Sequence, residues 1–527
     1  MARPLSGRTG GVELDEQLGP LAEATDRIAS ELTDRRAIER LLGRDHTLWH
    51  DDPAELADRL GWLDCPASMR VHIPHLLEIA DECSADGLER LVVLGMGGSS
   101  LFPEVLARTF GSRPDRLQIT VLDTTDPAAV ARVSADWPAA RTLFLTASKS
   151  GTTIETRSHL EHFWAEHPDP SCFAATTDPG SQLAHLAVER SFRACFENPP
   201  DIGGRYSALS LFGLAPAALA GVSLDGLLDG GAAALADLAA AGRLAAVMAA
   251  GVGQGCDKLT FVLDHRFASF GLWVEQLIAE STGKAGTGVL PVVGEPLGPP
   301  EVYGSDRLFV VVGDLSDEDG EAVAALAEAG HPVAVVPFGA DGSDLVVELG
   351  SQVMLWEAAT ALCGAALGIN PFDQPDVAAA KAATQAVLDA GELPPVPTEA
   401  AASVLAGVEA GDYVSIQAYV DPGGGAADDL ERVRLEIRDR LRVATTVGLG
   451  PRFLHSTGQL HKGGRPNGVF VQVVGEDPHD VAIPQSPFGF ATLKQAQAAG
   501  DLATLRDRGL RAARVSLDDL LGWEGST

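Results

Sequence analysis

Ser148-Lys149-Ser150-Gly151-Thr152-Thr153 gathers four hydroxyls, one ammonium and a glycine into six residues. The apolar run before it, Thr142 to Thr146, predicts a buried strand, and 154–165 predicts a helix. N–H groups at a helix start lack partners, and the helix dipole favours an anion there. Hydroxyls and a lysine in that place make a phosphate cradle, although an ordinary Ser/Thr N-cap gives part of the same pattern. Four other groupings carry chemistry. Two glycines precede Arg205 in Asp201-Ile202-Gly203-Gly204-Arg205-Tyr206-Ser207, which suggests backbone held close to whatever the guanidinium touches. Gln276 and Glu280 are four apart and share one helical face. Lys381 lies on a helix that restarts at Val377, after the turn Asn370-Pro371-Phe372-Asp373-Gln374-Pro375. His455 and His461 lie in a polar turn bounded by glycines.

Composition limits what these groups serve. The chain has 73 acidic against 39 basic residues, a formal charge of −34, which argues against nucleic acid or an anionic membrane as partner. The same field repels an anionic substrate, so a phosphate site must supply its positive charge locally. The six cysteines form no C-x-x-C pair, and no H-E-x-x-H spacing occurs, so neither a metal nor a cofactor is expected. Free thiols and the lack of an apolar leader in Met1–Leu14 lead to the expectation of a cytoplasmic protein. The Ala-rich run Gly230–Ala250 is broken by Asp237 and Arg243 and is not expected to span a membrane.

The elements that must position the groups follow an α/β pattern. Leu18–Leu42, Pro53–Leu63 and Met69–Ile79 have helical spacing and are expected to pack on a first sheet. Buried strands are expected at Leu91–Leu94, Ile119–Leu122, Thr142–Thr146 and Phe173–Thr176, and again at Leu259–Leu263, Leu308–Val312 and Val333–Val336. Alternation with helices predicts parallel sheets, whose ligands bind beyond the strands' carboxyl ends. Gly95-Met96-Gly97-Gly98-Ser99-Ser100 and the 148–153 turn both fall at such ends. Tyr413–Asp421 and Gly468–Val474 read as strands and Leu430–Leu441 as an amphipathic helix, so an α+β segment is expected at the C-terminus.

Five motifs in order resemble the glucose-6-phosphate isomerase family, across roughly residues 85 to 385. They are Gly95-Met96-Gly97-Gly98-Ser99, Ser148–Thr153, Gly203–Ser207, Glu280-Ser281-Thr282-Gly283-Lys284, and Phe372-Asp373-Gln374 through Lys381. The resemblance implies two sugar-isomerase domains. The expected divisions are 1–85, a helical N-terminal region; 86–235 and 236–390, the two domains; and 391–527, a segment carrying the histidine. It places Gly98, Ser99, Ser148, Lys149, Ser150 and Thr153 on the sugar phosphate and Gln276 beside the substrate. It makes Glu280 the proton-transferring carboxylate, Arg205 the cation beside the reacting carbons and Lys381 the lysine near the ring oxygen. Two departures stand out. Asp376 and Ala378 replace the family's glycine and glutamate. The ring-opening histidine normally precedes the lysine, but here His455-Ser456-Thr457-Gly458-Gln459 follows it, with His461 as the second candidate for that histidine and otherwise a substrate contact. This order is similar to the isomerase half of transaldolase/isomerase fusions.

The residue types suit the implied reaction, a reversible exchange of glucose 6-phosphate and fructose 6-phosphate through an enediolate. Glu280 can take and return a proton. Arg205 offers a fixed positive charge to the intermediate. His455 and Lys381 can serve the ring oxygen. Activity toward mannose 6-phosphate, or sugar-phosphate binding without turnover, are the alternatives. The expected partner is a sugar phosphate, and the family implies a homodimer.

Overall fold

After a short antiparallel hairpin, β1 (Ser6–Thr9) and β2 (Val12–Asp15), three parallel sheets organise the chain. The computed structural model describes residues 6–9, 12–136, 138–339 and 344–523, so Met1–Leu14 lies partly outside it. The first sheet holds β3 (Arg90–Gly95), β4 (Gln118–Leu122), β5 (Thr142–Ala147), β6 (Phe173–Thr177) and β7 (Ala194–Glu197), in the order β4-β3-β5-β6-β7. The second holds β8 (Lys258–Leu263), β9 (Leu290–Val292), β10 (Arg307–Val312) and β11 (Val333–Val336), ordered β11-β10-β8-β9. Helices cover both faces of these sheets, so central strands bury every side chain and read as continuous apolar runs.

The C-terminal segment is a third unit of the same kind rather than α+β. Strands β12 (Tyr413–Tyr419), β13 (Ala444–Leu449), β14 (Gly468–Val474) and β15 (Arg511–Arg514) form one wholly parallel sheet, ordered β13-β12-β14-β15. The first two units share a continuous core that includes Trp62, Trp273 and Trp356, while the third has its own around Ile416, Leu430 and Val471. In each sheet the first strand in sequence has its successors on both sides, which creates a switch point. In the first sheet it lies between β3 and β5, where Gly95 pairs with Ala147. The two glycine/serine turns therefore leave the sheet side by side.

The N-terminal region departs from expectation in two ways. It packs on the second sheet as well as near the first: Gln17 pairs antiparallel with Val333 on the edge strand β11, with both backbone bonds 2.8 Å. That pairing covers backbone groups the edge would otherwise expose. Pro53–Leu63 is not an α-helix, because Glu55 adopts a left-handed conformation (φ 51°) and the chain turns there. A left-handed Arg36 (φ 50°) likewise divides Leu18–Leu42 into two helices. The run over 230–250 is two helices, Leu224–Ala236 and Ala239–Gln254, bent by 75°. Leu345–Leu367 is long and apolar enough to cross a membrane, but 83% of its most apolar window is buried inside the fold.

That helix carries a deeply buried acid, Glu357, whose Oε1 has no hydrogen-bond partner among the described residues. Burial holds its carboxyl well above the usual range. From its unfolded value of about 4.3 upward, the folded chain keeps a proton that the unfolded chain releases. Stability therefore falls as pH rises through that window. Glu357→Gln removes the ionisation and should raise Tm at pH 8 by ~2 °C, with the gain shrinking toward pH 4. Thermal unfolding across pH tests this, and a pH-independent difference would refute it.

Candidate active site

The loop between β5 and the helix Ile154–Glu166 folds on its own hydroxyls. Ser148 Oγ lies 3.1 Å from Thr153 Oγ1, Ser150 Oγ lies 2.8 Å from Thr152 Oγ1, and the Gly151 N–H donates to Ser148 Oγ at 3.1 Å. Gly151 has φ +69°, which glycine adopts without strain. Thr153 is the N-cap residue, yet its side chain makes no capping bond to the helix. The first N–H groups of the helix thus remain available to an anion. Ser150, Thr152 and Thr153 form one wall of a cavity of about 230 Å³. Glu155, Lys381, Thr384, His455, Lys462, Gln497 and Asp501 are also among its lining residues.

His455 enters this cavity from the third unit, in the crossover that follows β13. Its Nε2 lies 2.9 Å from Glu155 Oε1, and the Gln497 amide donates to the same oxygen at 2.7 Å. Burial pushes the Glu155 carboxyl up, but the imidazole and its hydrogen bond outweigh that, and the group sits below the usual range. An ionised carboxylate only accepts, so Nε2 carries the proton and Nδ1 is left for a ligand. Gln497 is fixed in turn by the Thr125 hydroxyl, which donates to its Oε1 at 2.7 Å. The helix Phe490–Asp507 therefore braces the imidazole against the helix Ile154–Glu166.

Glu280, on the helix Phe270–Thr282, lies on the other side of His455. Gln276 Nε2 donates to Glu280 Oε2 at 3.2 Å and to the His455 carbonyl at 2.7 Å. Arg205 Nη1 donates to Glu280 Oε2 at 3.3 Å, and its Nη2 donates to the Asp373 carbonyl at 2.7 Å. Both members of this pair are buried. Burial raises the Glu280 carboxyl above its usual range, against the pull of Arg205 and His455. Lys284 donates to Asp373 Oδ1 at 2.7 Å, and burial beside Arg205 lowers its ammonium to about 8.

The glycine turn after β3 makes these approaches possible. A Cβ at Gly97 would lie 2.7 Å from both Gln276 Nε2 and the His455 carbonyl, and one at Gly98 would lie 3.2 Å from the Arg205 N. Gly98 thus serves close packing of the Arg205 segment. Ser99 stands half-buried beside it.

The structure brings Ser150, Thr153, His455 and Lys381 together at the cavity, and joins Glu280, Gln276 and Arg205 to them through residue 455. It does not bring all the predicted residues there. Lys149 is turned away, its Nζ 2.5 Å from Asp178 Oδ2 and 2.8 Å from the Pro200 carbonyl. Ser148 is buried within the loop. His461 is a core residue against Tyr413 and Phe470, 3.2 Å from the Gln417 amide, and burial lowers its imidazole to about 3. It does not face the cavity, which corrects its assignment as a substrate contact.

Sequence reasoning missed Glu155, although it stands two residues after the Ser148–Thr153 motif, and had no signal for Gln497, Lys462 or Asp501. Asp376, a departure from the family pattern, is explained by the third unit. Its N–H donates to Gln459 Oε1 at 3.0 Å, and its carboxylate accepts from Gln459 Nε2 at 2.6 Å and Arg508 Nη1 at 2.7 Å. It docks the start of the Lys381 helix, Val377–Ala390, onto the segment carrying His455. Two features lie apart from this site. A larger cavity of about 560 Å³ opens beside Glu275, whose carboxyl burial raises to about 7. His167, Asp169 and Cys172 bring potential ligand atoms within 4.8 Å of one another, with Asp169 Oδ1 already accepting from the Ser171 N–H and hydroxyl.

The phosphoglucose isomerase family model matches residues 81–287. That span includes both loops, Arg205 and Glu280 and ends before Lys381 and His455. Glucose-6-phosphate isomerase of Rubrobacter xylanophilus is 29% identical over 390 residues, covering 63% of this chain and 89% of that protein. The enzyme of that name from Thermus thermophilus is 29% identical over 389 residues, covering 63% and 90%. In fold, the chain is similar to the crystal structure of a glucose-6-phosphate isomerase from Chlamydia trachomatis, with TM-score 0.58 and 20% identity over 70% of this chain and 87% of that one.

Proposed function

The chain is a member of the glucose-6-phosphate isomerase family, and we propose that it interconverts glucose 6-phosphate and fructose 6-phosphate through an enediolate. The observation that carries this reading is the linked pair of proton-handling groups. His455, oriented by Glu155, faces the cavity beside the phosphate loop, and Glu280, held by Arg205, is tied to the same turn by Gln276.

In the proposed mechanism the phosphate sits on the Ser150 and Thr153 hydroxyls and the N–H groups that open the 154–166 helix. His455 Nδ1 takes the proton of the C1 hydroxyl and hands it to the ring oxygen as the ring opens, with Lys381 adding positive charge to the cavity. Glu280 takes the proton from C2 and returns it to C1, while a hydroxyl proton shifts between O1 and O2. Negative charge on the enediolate develops beside the Arg205 guanidinium. A raised carboxyl pKa suits this role, since the group must both accept and release a proton near neutral pH.

The test is a coupled assay in which glucose 6-phosphate formed from fructose 6-phosphate is oxidised by its dehydrogenase and read as NADPH. Steady turnover is expected. Tight binding of fructose 6-phosphate with no product would overturn the proposal.

A further inference from the structure

Lys462 and Asp501 form a charged pair at the candidate site that neither the motifs nor the proposed mechanism uses. Lys462 Nζ lies 2.6 Å from Asp501 Oδ1, and the two side chains are 2% and 0% exposed. Both line the cavity that holds Ser150, Thr153, Glu155 and His455. A buried ion pair is costly unless its remaining donors and acceptors are also filled. This one is incompletely filled. Neither Asp501 oxygen has a well-aligned hydrogen-bond partner among the described residues, although Oδ1 lies in ion-pair contact with Lys462. An ammonium has three protons to donate, and the acceptors near Nζ are Asp501 Oδ1 and the Gly458 carbonyl, the latter at a long 3.4 Å.

The pair is also rigidly placed by the elements that place the proton-handling groups. Lys462 sits on the short helix Gly458–Gly463 that follows His455, and Arg508 Nη1 donates to its carbonyl at 2.8 Å. Asp501 lies one turn after Gln497, which orients Glu155. Groups held this way keep their geometry when a ligand arrives.

We propose that the Lys462–Asp501 pair is a subsite for the secondary hydroxyls of a phosphorylated sugar, with Asp501 Oδ2 accepting from one hydroxyl and the Lys462 ammonium donating to its neighbour. The subsite selects ligands that carry vicinal hydroxyls beyond the phosphate, whereas the phosphate loop selects only the anion. The inference rests on the sugar-phosphate reading of the cavity and adds to it the part that recognises the carbon chain.

Calorimetric titration of the full chain with sorbitol 6-phosphate and with inorganic phosphate tests it. Sorbitol 6-phosphate keeps the hydroxyls and has no carbonyl to react. The double variant Lys462→Gln/Asp501→Asn keeps volume and removes both charges. It should weaken sorbitol 6-phosphate by about tenfold or more and leave inorganic phosphate unchanged. Unchanged sorbitol 6-phosphate binding, or equal weakening of both ligands, would overturn the proposal. If the double variant fails to fold, Asp501→Asn alone decides by the same split. Wild-type protein that binds phosphate but not sorbitol 6-phosphate would instead count against the sugar-phosphate reading itself.

Discussion

Glu280→Gln should lower kcat for fructose 6-phosphate by ~10³-fold or more and leave KM within a few-fold. The substitution keeps size and a carbonyl oxygen for the Gln276 amide and Arg205, but removes the group that carries a proton between two carbons. Phosphate binding is untouched, because the loop hydroxyls bond among themselves and not to Glu280. The pH profile gives a second readout. Burial holds the Glu280 carboxyl above its usual range, so its ionised, active form is lost as pH falls, starting at a higher pH than for an exposed glutamate. The acid limb of the kcat profile should therefore lie above ~4.3. A variant with wild-type kcat would remove Glu280 from the mechanism.

His455→Ala should cost ~10²–10⁴-fold in turnover of the closed-ring substrates, the remaining turnover being supplied by spontaneous ring opening. The imidazole has one well-defined support, Glu155 at 2.9 Å, and that support is itself held by Gln497 and Thr125. Its origin matters as much as its loss. In this fold His455 reaches Glu155 on the helix Ile154–Glu166 of its own chain, so the proposed mechanism draws every group from one chain. Mixing Glu280→Gln protein with His455→Ala protein should then restore no activity. Recovery on mixing would mean that a second copy supplies the histidine.

Strands and loops of the first two units were legible because parallel sheets covered on both faces demand continuous apolar runs, as in Leu91–Leu94 and Leu308–Val312. Three short edge strands were not. Ala194–Glu197, Leu290–Val292 and Arg511–Arg514 are three or four residues long, and the last is half arginine. Strand Ala444–Leu449 was hidden by its threonines and a glycine, so the third sheet was not recognised as parallel. In the site, the motifs led to the loop, Arg205, Glu280 and His455. They failed at residues whose role depends on distant chain: Glu155 becomes significant only when His455 meets it, some 300 positions away. Lys149 and His461 lie off the cavity for the opposite reason. Their types suit ligand binding, but Asp178 and a buried aromatic cluster claim them first.

Solvent exchange tests the central claim most directly. Glucose 6-phosphate incubated with the wild-type chain in D₂O, and followed by NMR, should yield fructose 6-phosphate and gain deuterium at C2 of the returned aldose and at C1 of the ketose. That result requires a proton held by a protein base and shared with solvent. Deuterium entering equally fast with Glu280→Gln protein, or no conversion at all, would contradict proton transfer through Glu280.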